Sequence, residues 1–259
     1  MFWVSPRQQA NPNTEATMRA AFITAAILSS SACTVVESDF GQSFPSAGIS
    51  TLAADVDQGD IEIQGLPSSS AFVVEGRTFG YSMSSDNAER NQDANTWDVS
   101  RDGDLLTMWG RSEYMGAGVD FEVQGPSRVH TSLTTESGRI NIADLQGIHY
   151  LEATGVSAED LVGSTTIIAG SGGVNASLIP AASDTIYIES SDDVVLRLPW
   201  GGDYDLQIWG DPEYTITVHD LGFSSVAEAP AYFAGLRGRG TTSVDIVVTG
   251  GNVTVIDTW

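Results

Sequence analysis

Short stretches in which apolar and polar residues alternate run along most of the chain. The clearest is Thr134–Asp144, where a Ser-Gly turn at Ser137 and Gly138 precedes Ile140 and Ile142. Because successive side chains of a strand point to opposite faces, the two isoleucines would share one face. Alternation of this kind, bounded by glycine and aspartate, predicts an all-β chain with many turns.

A frame made of a turn glycine and two apolar residues at alternate positions recurs along the chain. Three corner glycines, Gly138, Gly155 and Gly172, follow each other at intervals of 17 residues. Strands this short bury few side chains, and stacking on neighbours would extend a shared core. The repeats therefore predict a single-domain β-solenoid of short stacked strands with Gly and Asp turns. The copies of the frame are Gly59–Ile63, Gly103–Thr107, Gly138–Ile142, Gly172–Ala176, Asp192–Leu196 and Gly251–Val255.

Two segments depart from the alternating pattern. Residues 82–114 contain a polar, strand-poor run from Asp86 to Asn95, which predicts a loop inserted between Phe79 and Trp97. Residues 226–236 are the one stretch with helical periodicity, and Pro230 would break any long helix there.

The N-terminal region has the pattern of an export signal. Arg19 precedes the apolar run 20–28, small residues follow, and Cys33 comes next. Residues 1–17 are polar and irregular, so translation is predicted to begin at Met18 rather than Met1. Ser31-Ala32-Cys33 resembles the bacterial lipoprotein box, although Ser30 stands where that family usually has Leu. The resemblance implies cleavage before Cys33 and lipid attachment to its sulfur. Ordinary signal-peptidase cleavage and a buried, inert thiol are the alternatives.

These features divide the chain into three predicted parts. Residues 1–32 are an extra N-terminus plus signal peptide, and residues 33–50 are the lipidated cysteine and a polar tether. Residues 51–259 are the β-solenoid domain, with a loop insertion near residues 82–114. Thr34, which follows the cysteine, does not favour inner-membrane retention under the sorting rule of that family. The predicted location is the cell envelope, on the periplasmic face or the outer membrane.

Composition narrows the choice of partners. The chain has 259 residues, with 34 acidic and 11 basic side chains, a formal net charge of -23, and no lysine. So acidic a surface repels phosphates, which excludes nucleic acid as a partner. The chain has one cysteine, which rules out an intrachain disulfide.

Few residues suggest chemistry. His130, His149 and His219 lie on separate segments without metal-ligand spacing and are interpreted as surface or edge histidines. Paired carboxylates on consecutive coils could serve a glycosidase or bridge calcium, whereas Asp at a corner is usually a turn former. Exposed aromatics could stack on sugars or cap an open end of the fold. The acids are Asp192, Asp193, Asp203, Asp205 and Asp211, and the aromatics are Trp200, Tyr204, Trp209, Tyr214 and Tyr232.

Several motifs together resemble the bacterial DUF4097 family, whose members are known as "putative adhesins". The motifs are Val56–Gly65, Thr135–Ile142, Val195–Pro199 and the closing Thr249–Val255, and the resemblance spans roughly residues 49–257. It implies a β-solenoid in the cell envelope and no catalytic residues.

We therefore predict a non-enzymatic, lipid-anchored envelope protein that acts as an adhesin-like scaffold or binding module without a cofactor. Its partner would be an envelope protein or a polysaccharide, with the membrane reached through the lipid. The two alternatives are a carbohydrate-active β-helix enzyme and a calcium-dependent carbohydrate-binding adhesin. A groove with converging acids would favour the enzyme, and stabilisation by calcium would favour the adhesin.

Overall fold

A computed structural model describes residues 33–219 and 221–258, which form strands and one short helix, so the all-β prediction is confirmed. The helix α1 spans Ser85–Asp93. The strands are Thr34–Pro45 (β1), Thr51–Gln58 (β2), Ile61–Leu66 (β3), Ala71–Ser82 (β4), Thr96–Asp102 (β5), Leu105–Arg111 (β6), Ala117–Pro126 (β7), His130–Ser137 (β8), Arg139–Ala143 (β9), His149–Ala153 (β10), Gly155–Val162 (β11), Thr165–Ala169 (β12), Val174–Ile179 (β13), Thr185–Ser190 (β14), Val194–Pro199 (β15), Tyr204–Trp209 (β16), Ile216–Val218 (β17), Ser225–Ala229 (β18), Tyr232–Leu236 (β19), Thr242–Val248 (β20) and Val253–Thr258 (β21).

The strands form two large, open, mixed sheets. Sheet A has the order β1-β4-β7-β3-β9-β11-β13-β15-β21-β17, and sheet B has the order β18-β19-β16-β20-β14-β12-β10-β8-β2-β6-β5. From β6 to β17, consecutive strands alternate between sheet B and sheet A. Neighbours are parallel through the middle of both sheets and antiparallel only towards their ends.

One apolar core lies between the sheets, built from the inward side chains of both. Ile140 and Ile142 of β9 are almost fully buried, as are Leu151 of β10 and Ile167 of β12. Leu151 and Ile167 occupy facing positions of adjacent parallel strands. Alternation along each strand therefore produces rows of apolar side chains across the sheets, which bury one continuous core.

The turn residues of the repeated frame stack in one corner where the chain enters sheet A. A Cβ on Gly138 would lie 1.9 Å from the carbonyl oxygen of Gly59, which explains why this corner requires glycine. Backbone hydrogen bonds join the next turns to this one: the Thr154 N–H donates to Gly138 O at 3.0 Å, and the Gly172 N–H donates to Thr154 O at 2.7 Å. Asp193, directly before β15, extends this stack of turns, because its backbone carbonyl accepts a hydrogen bond from the Val174 N–H.

Five of the six predicted copies of the frame place their apolar pair inside, and one does not. In the copy that starts at Gly103, the pattern predicts Leu105 and Thr107 inside, whereas Leu106 and Met108 are the buried residues. Gly103 lies in the two-residue turn that joins the antiparallel strands β5 and β6, not in the stacked corner, and the inward residues of β6 are one position later than the frame predicts.

At both ends of the molecule, the order of the strands within the sheets differs from their order along the chain. β2 and β3 lie inside β6 and β7, although they come earlier in the chain. At the other end, β20 and β21 insert between β14 and β16 in sheet B and between β15 and β17 in sheet A. The last two strands of the chain are therefore internal strands, each with a parallel partner on both sides.

The predicted tether after Cys33 is wrong, because Thr34–Pro45 forms β1 at the edge of sheet A. β1 pairs with β4 along its whole length, from Thr34 opposite Ser82 to Pro45 opposite Ala71. Phe40 of β1 stacks on Trp97 with ring centroids 3.6 Å apart. The segment is thus part of the folded domain.

The predicted loop over residues 82–114 is also wrong. The polar run forms most of α1, and the residues after it form β5 and β6. Gly80 allows the helix backbone to approach β4, since a Cβ there would lie 2.5 Å from Ala88 O. The helical periodicity of residues 226–236 is misleading as well, because β18 and β19 form an antiparallel hairpin there.

No helix within residues 33–219 and 221–258 has the length and apolar character needed to cross a membrane. The predicted signal segment, residues 1–32, lies outside the described residues.

Candidate functional site

Cys33 is exposed and directly precedes β1. Its sulfur is not held inside the core, so the alternative of a buried, inert thiol is wrong. An exposed sulfur at the start of the first strand is accessible to modification. Lipid attachment itself remains a prediction from the sequence.

Two of the three histidines lie side by side, which their separation in the sequence hides. His149 at the start of β10 faces Thr131 of β8, and its Nδ1 lies 3.0 Å from Thr131 Oγ1. His130 Nδ1 accepts a hydrogen bond from the backbone N–H of Ile148 at 2.8 Å. The third histidine, His219, directly follows β17 and is exposed.

His149 is not the surface histidine that the sequence suggested. It is 1% exposed, and its Nε2 is buried without a hydrogen-bond partner. Burial lowers the pKa of His149 to about 4, with the carbonyl of Val162 opposing this shift and nearby His130 adding to it. A neutral imidazole enclosed by the core has no route to a substrate, so we assign His149 to the fold rather than to chemistry.

The aspartates that could have formed a catalytic pair are divided between the two sheets. Asp192 and Asp193 lie in the corner before β15 of sheet A, whereas Asp203 and Asp205 lie at the start of β16 in sheet B. Asp193 Oδ1 accepts the Asn252 amide at 2.7 Å.

Asp211 also acts within a turn, where its Oδ1 accepts the Glu213 amide at 2.9 Å. Across 33–219 and 221–258, no three His, Cys, Asp or Glu side chains are grouped so that they could hold a metal ion. The bond of Asp211 is that of a turn former, whereas the bond of Asp193 joins its corner to the corner before β21.

The five aromatic candidates have different roles. Tyr204 is 1% exposed and its hydroxyl donates to Pro199 O at 2.8 Å, so it belongs to the core. Trp200 is exposed, with the guanidinium carbon of Arg237 4.9 Å from its ring centroid. Trp209 and Tyr232 are neighbours on β16 and β19 with ring centroids 5.9 Å apart.

Tyr214 is exposed and lies in the turn before β17, the last strand in the order of sheet A. The hairpin that contributes Tyr232 extends sheet B at its edge, where it pairs with β16.

Two shallow clefts lie on the surface, and the larger has polar side chains that are bonded to neighbouring residues. The larger, of about 470 Å³, lies where the chain enters sheet B, beside Arg128, His130 and Asp184. Asp184 there accepts the Ala181 amide and the Ser164 hydroxyl, and Arg128 donates to Gln146. The smaller cleft, of about 390 Å³, lies on the outward face of sheet A around Asn141 and Asn175.

The outward face of sheet B carries the most regular surface feature of the described residues. Tyr150 on β10 and Tyr187 on β14 are aligned through Thr166 on the intervening strand β12. Glu152 and Glu189 form the next row of the same strands, aligned through Ile168. Since neighbouring strands lie about 4.8 Å apart, the repeat from Tyr150 to Tyr187 is about 9.6 Å.

Each tyrosine is bonded to the glutamate of its own strand. The Tyr150 hydroxyl donates to Glu152 Oε2 at 2.6 Å, and the Tyr187 hydroxyl donates to Glu189 Oε2 at 2.9 Å. These bonds, to an ionised acceptor, raise the pKa of both tyrosines. The strands thus present two copies of one unit, a fixed ring next to an oriented carboxylate.

Charge and further aromatics define this Tyr–Glu face. Every charged side chain that points outward from β8, β10, β12, β14, β20 and β16 is acidic, including Asp245 beside Tyr187. In the row of the glutamates, Trp109 lies towards one end of the sheet and Trp209 towards the other. An acidic face with spaced aromatic rings suits a neutral ligand that is rich in hydroxyl groups.

Sequence reasoning overlooked this face, although a signal for it is present. Tyr150-Leu151-Glu152 and Tyr187-Ile188-Glu189 share the pattern Tyr-apolar-Glu. The two motifs are 37 residues apart in the chain, and only the strand β12, which pairs with both β10 and β14, aligns them.

No family model and no curated protein matches the chain, so membership of the DUF4097 family stays a prediction from its motifs. Solved structures with a similar chain course include a "putative cell adhesion protein" from Clostridium sporogenes, 9% identical with a TM-score of 0.42, the match covering 85% of this chain and 99% of that one. A "putative adhesin" from Bacteroides fragilis is 9% identical with a TM-score of 0.26, over 85% and 97% of the two chains.

A "putative lipid binding protein" from Parabacteroides distasonis is 9% identical with a TM-score of 0.24, over 85% of this chain and 97% of that one. With TM-scores below 0.5, these likenesses say nothing about the ligand of this chain.

Proposed function

We propose that the chain is a non-enzymatic binding module of the bacterial cell envelope, which presents the Tyr–Glu face of sheet B to an extended neutral polysaccharide. A lipid on Cys33 holds the module at the membrane, on the periplasmic face or the outer membrane, and no cofactor takes part. The repeated Tyr–Glu unit on β10 and β14 is the observation that carries this proposal.

The architecture that we propose behind this face is a β-solenoid in which each coil supplies one strand to each sheet. The in-register parallel pairs, the alternation of strands between sheets and the stacked corner from Gly59 to Asp193 support it. A solenoid repeats its surface at the spacing of its coils, so a side-chain pattern on one coil recurs on a flat face. Such a face matches a ligand that also repeats.

The side chains supply the two interactions that sugars need. Aromatic rings pack against the apolar faces of sugar rings, and carboxylate oxygens accept bonds from sugar hydroxyls. The tyrosine bond occupies only part of the acceptor capacity of Glu152 and Glu189. The repeat of about 9.6 Å, which is two strand spacings, is close to the length of a disaccharide.

Affinity electrophoresis tests the proposal with three neutral polysaccharides in the gel: hydroxyethylcellulose, glycogen and galactomannan. We expect at least one of them to retard the protein. Because aromatic anchors often contribute more than 1 kcal/mol to binding, Tyr150→Ala and Tyr187→Ala should each weaken it roughly tenfold. Tyr214→Ala, which removes an exposed tyrosine in the turn before β17 of sheet A, is the matched control and should bind like the wild type.

Four outcomes would overturn the binding proposal or its details. Lack of retardation by all three polymers would contradict the Tyr–Glu face, and so would Tyr150→Ala and Tyr187→Ala variants that bind as tightly as the wild type. Release of new reducing ends would show a carbohydrate-active enzyme instead; we expect none, because an open face does not enclose a bond between two carboxylates. Retardation that EDTA abolishes would favour the calcium-dependent adhesin.

The anchor is tested separately by changing the cysteine in cells. The wild type should fractionate with membranes, and Cys33→Ser should move to the soluble fraction because it lacks the sulfur that carries the lipid. Ser31→Ala, two residues before the cysteine, keeps a small residue in the cleavage zone and should fractionate like the wild type. Unchanged partitioning of Cys33→Ser would refute the lipid anchor.

A further inference from the structure

The two most exposed large apolar side chains of the described residues, Met115 and Met83, belong to a group of exposed apolar residues near Cys33. Met115 is 92% exposed and Met83 is 82% exposed, and Val35, Tyr81 and Tyr114 around them are each at least 40% exposed. We refer to these five residues as the N-terminal apolar patch. Apolar groups that cluster on a surface mark an interaction site more often than scattered ones do.

Pairing between strands brings the patch together. Val35 is opposite Tyr81 in the β1–β4 pair, and Thr34 is opposite Ser82, so Met83 directly follows the strand end that borders Cys33. The Tyr81 amide donates to Gly116 O at 2.8 Å, which holds the turn containing Tyr114 and Met115 against β4. A Cβ on Gly116 would lie 2.9 Å from the Tyr81 ring, so this close approach depends on glycine.

The strand β1 leaves no slack between the cysteine and the folded domain. It begins at Thr34, the next residue, and adjacent Cα atoms are only about 3.8 Å apart. A lipid on Cys33 would therefore hold the end of β1, and with it the N-terminal apolar patch, at the surface of the bilayer. A flexible tether would have let the domain turn away, but the residues expected to form it are paired with β4.

We infer that the N-terminal apolar patch is a membrane-docking surface that seats this end of the molecule on the bilayer and fixes the orientation of the module. Tyrosine suits the interface because its ring is apolar and its hydroxyl can stay hydrated. Methionine adapts its shape to a disordered apolar surrounding. Asp86, three residues after Met83, and Glu113, next to Tyr114, are exposed acids, so zwitterionic headgroups suit the patch better than anionic ones.

This inference rests on the proposed anchor but can be tested without it. The full chain is coupled through Cys33, its only cysteine, to a maleimide phospholipid in phosphatidylcholine vesicles. The reference is the same chain coupled to a soluble maleimide. Hydroxyl-radical footprinting with mass spectrometry then compares oxidation of individual side chains in the two samples.

We expect oxidation of Met83 and Met115 to fall several-fold on the vesicles. Trp200 and Tyr214, which are exposed near the opposite end of the sheets, should be oxidised equally in both samples. The double variant Met83→Ser, Met115→Ser should lose the protection of Tyr81 while melting at the wild-type temperature, because both methionines are exposed.

Equal oxidation of the two methionines on vesicles and in solution would overturn the docking surface. Equal protection of Trp200 would show that the vesicle covers the molecule without a preferred orientation, which also contradicts it. Protection that appears in vesicle-free protein as concentration rises would assign the patch to a second copy of the chain. If Cys33→Ser leaves cellular partitioning unchanged but the coupled protein is protected, the anchor fails and the docking surface stands.

Discussion

At the scale of single residues, the environment decides the role more than the residue type. His149 and the two face tyrosines lie on the same sheet, yet the histidine points into the core and the tyrosines point outward. The sequence does suggest that Ile140 and Ile142 are buried, because alternation alone determines their face. It does not suggest that His149 is buried, because a histidine at the edge of a strand reads as polar.

Acid should destabilise the protein through His149. Its pKa is about 4 in the folded state and about 6.5 when unfolded, so the unfolded chain binds more protons between these values. The stability that the neutral ring provides is complete above pH 6.5 and is lost as the pH falls towards 4. Urea unfolding should show a loss of about 2–3 kcal/mol from this group between pH 7 and pH 4.5.

The variants His149→Gln and His219→Gln separate this effect from general acid sensitivity. Glutamine at position 149 cannot take up a proton, so the unfolding free energy of that variant should depend less on pH over this range. His219→Gln, which removes an exposed histidine, should keep the pH dependence that His149 causes in the wild type. If the two variants and the wild type show the same pH profile, the buried neutral imidazole is not the cause.

At the scale of elements, the strands of the repeated frame could be predicted from the sequence, whereas α1 and the edge strand β1 could not. A glycine or aspartate corner followed by alternating apolar residues specifies a strand locally, as in β9 and β15. α1 gives no such signal, because its residues are polar and only Ala88 is buried. The helix is held by its approach to Gly80 of β4, a contact that depends on tertiary structure.

The strand β1 contributes to stability through Phe40, which packs on Trp97 and lies edge-on to Phe121 with ring centroids 5.7 Å apart. Phe40 is partly buried, so Phe40→Ala should cost about 2 kcal/mol of unfolding free energy, below the 3–5 kcal/mol of a fully buried ring. Val35→Ala, at an exposed position of the same strand, should cost under about 0.5 kcal/mol. Equal and negligible effects in chemical denaturation would mean that this segment is a tether after all.

At the scale of the whole molecule, the exchange of strand order at both ends is beyond local reasoning. β14, β16 and β20 are all short alternating strands, and nothing in their patterns states which two should be neighbours. Only the complete packing places β20 between the other two. The consequence for function is a continuous sheet B, whose outward Tyr–Glu face extends from β10 to the aromatic pair Trp209 and Tyr232.

The two proposed surfaces lie on different parts of the molecule and together would define its orientation at the membrane. The N-terminal apolar patch lies at the β1 edge of sheet A, while the Tyr–Glu face lies on the middle strands of sheet B. An anchored molecule would thus keep its acidic binding face clear of the bilayer and available to a polymer. The central claim is that the Tyr–Glu face, rather than a cleft, binds the ligand.

Side-chain NMR of protein with ¹³C-labelled tyrosine tests that claim most directly, since the chain has only seven tyrosines. Oligosaccharides from whichever neutral polysaccharide retards the protein are added in steps. The signals of Tyr150 and Tyr187 should move together along one binding curve, while those of buried Tyr204 and of Tyr214 stay in place. Unmoved signals from Tyr150 and Tyr187, with saturable shifts at any other tyrosine, would contradict the account.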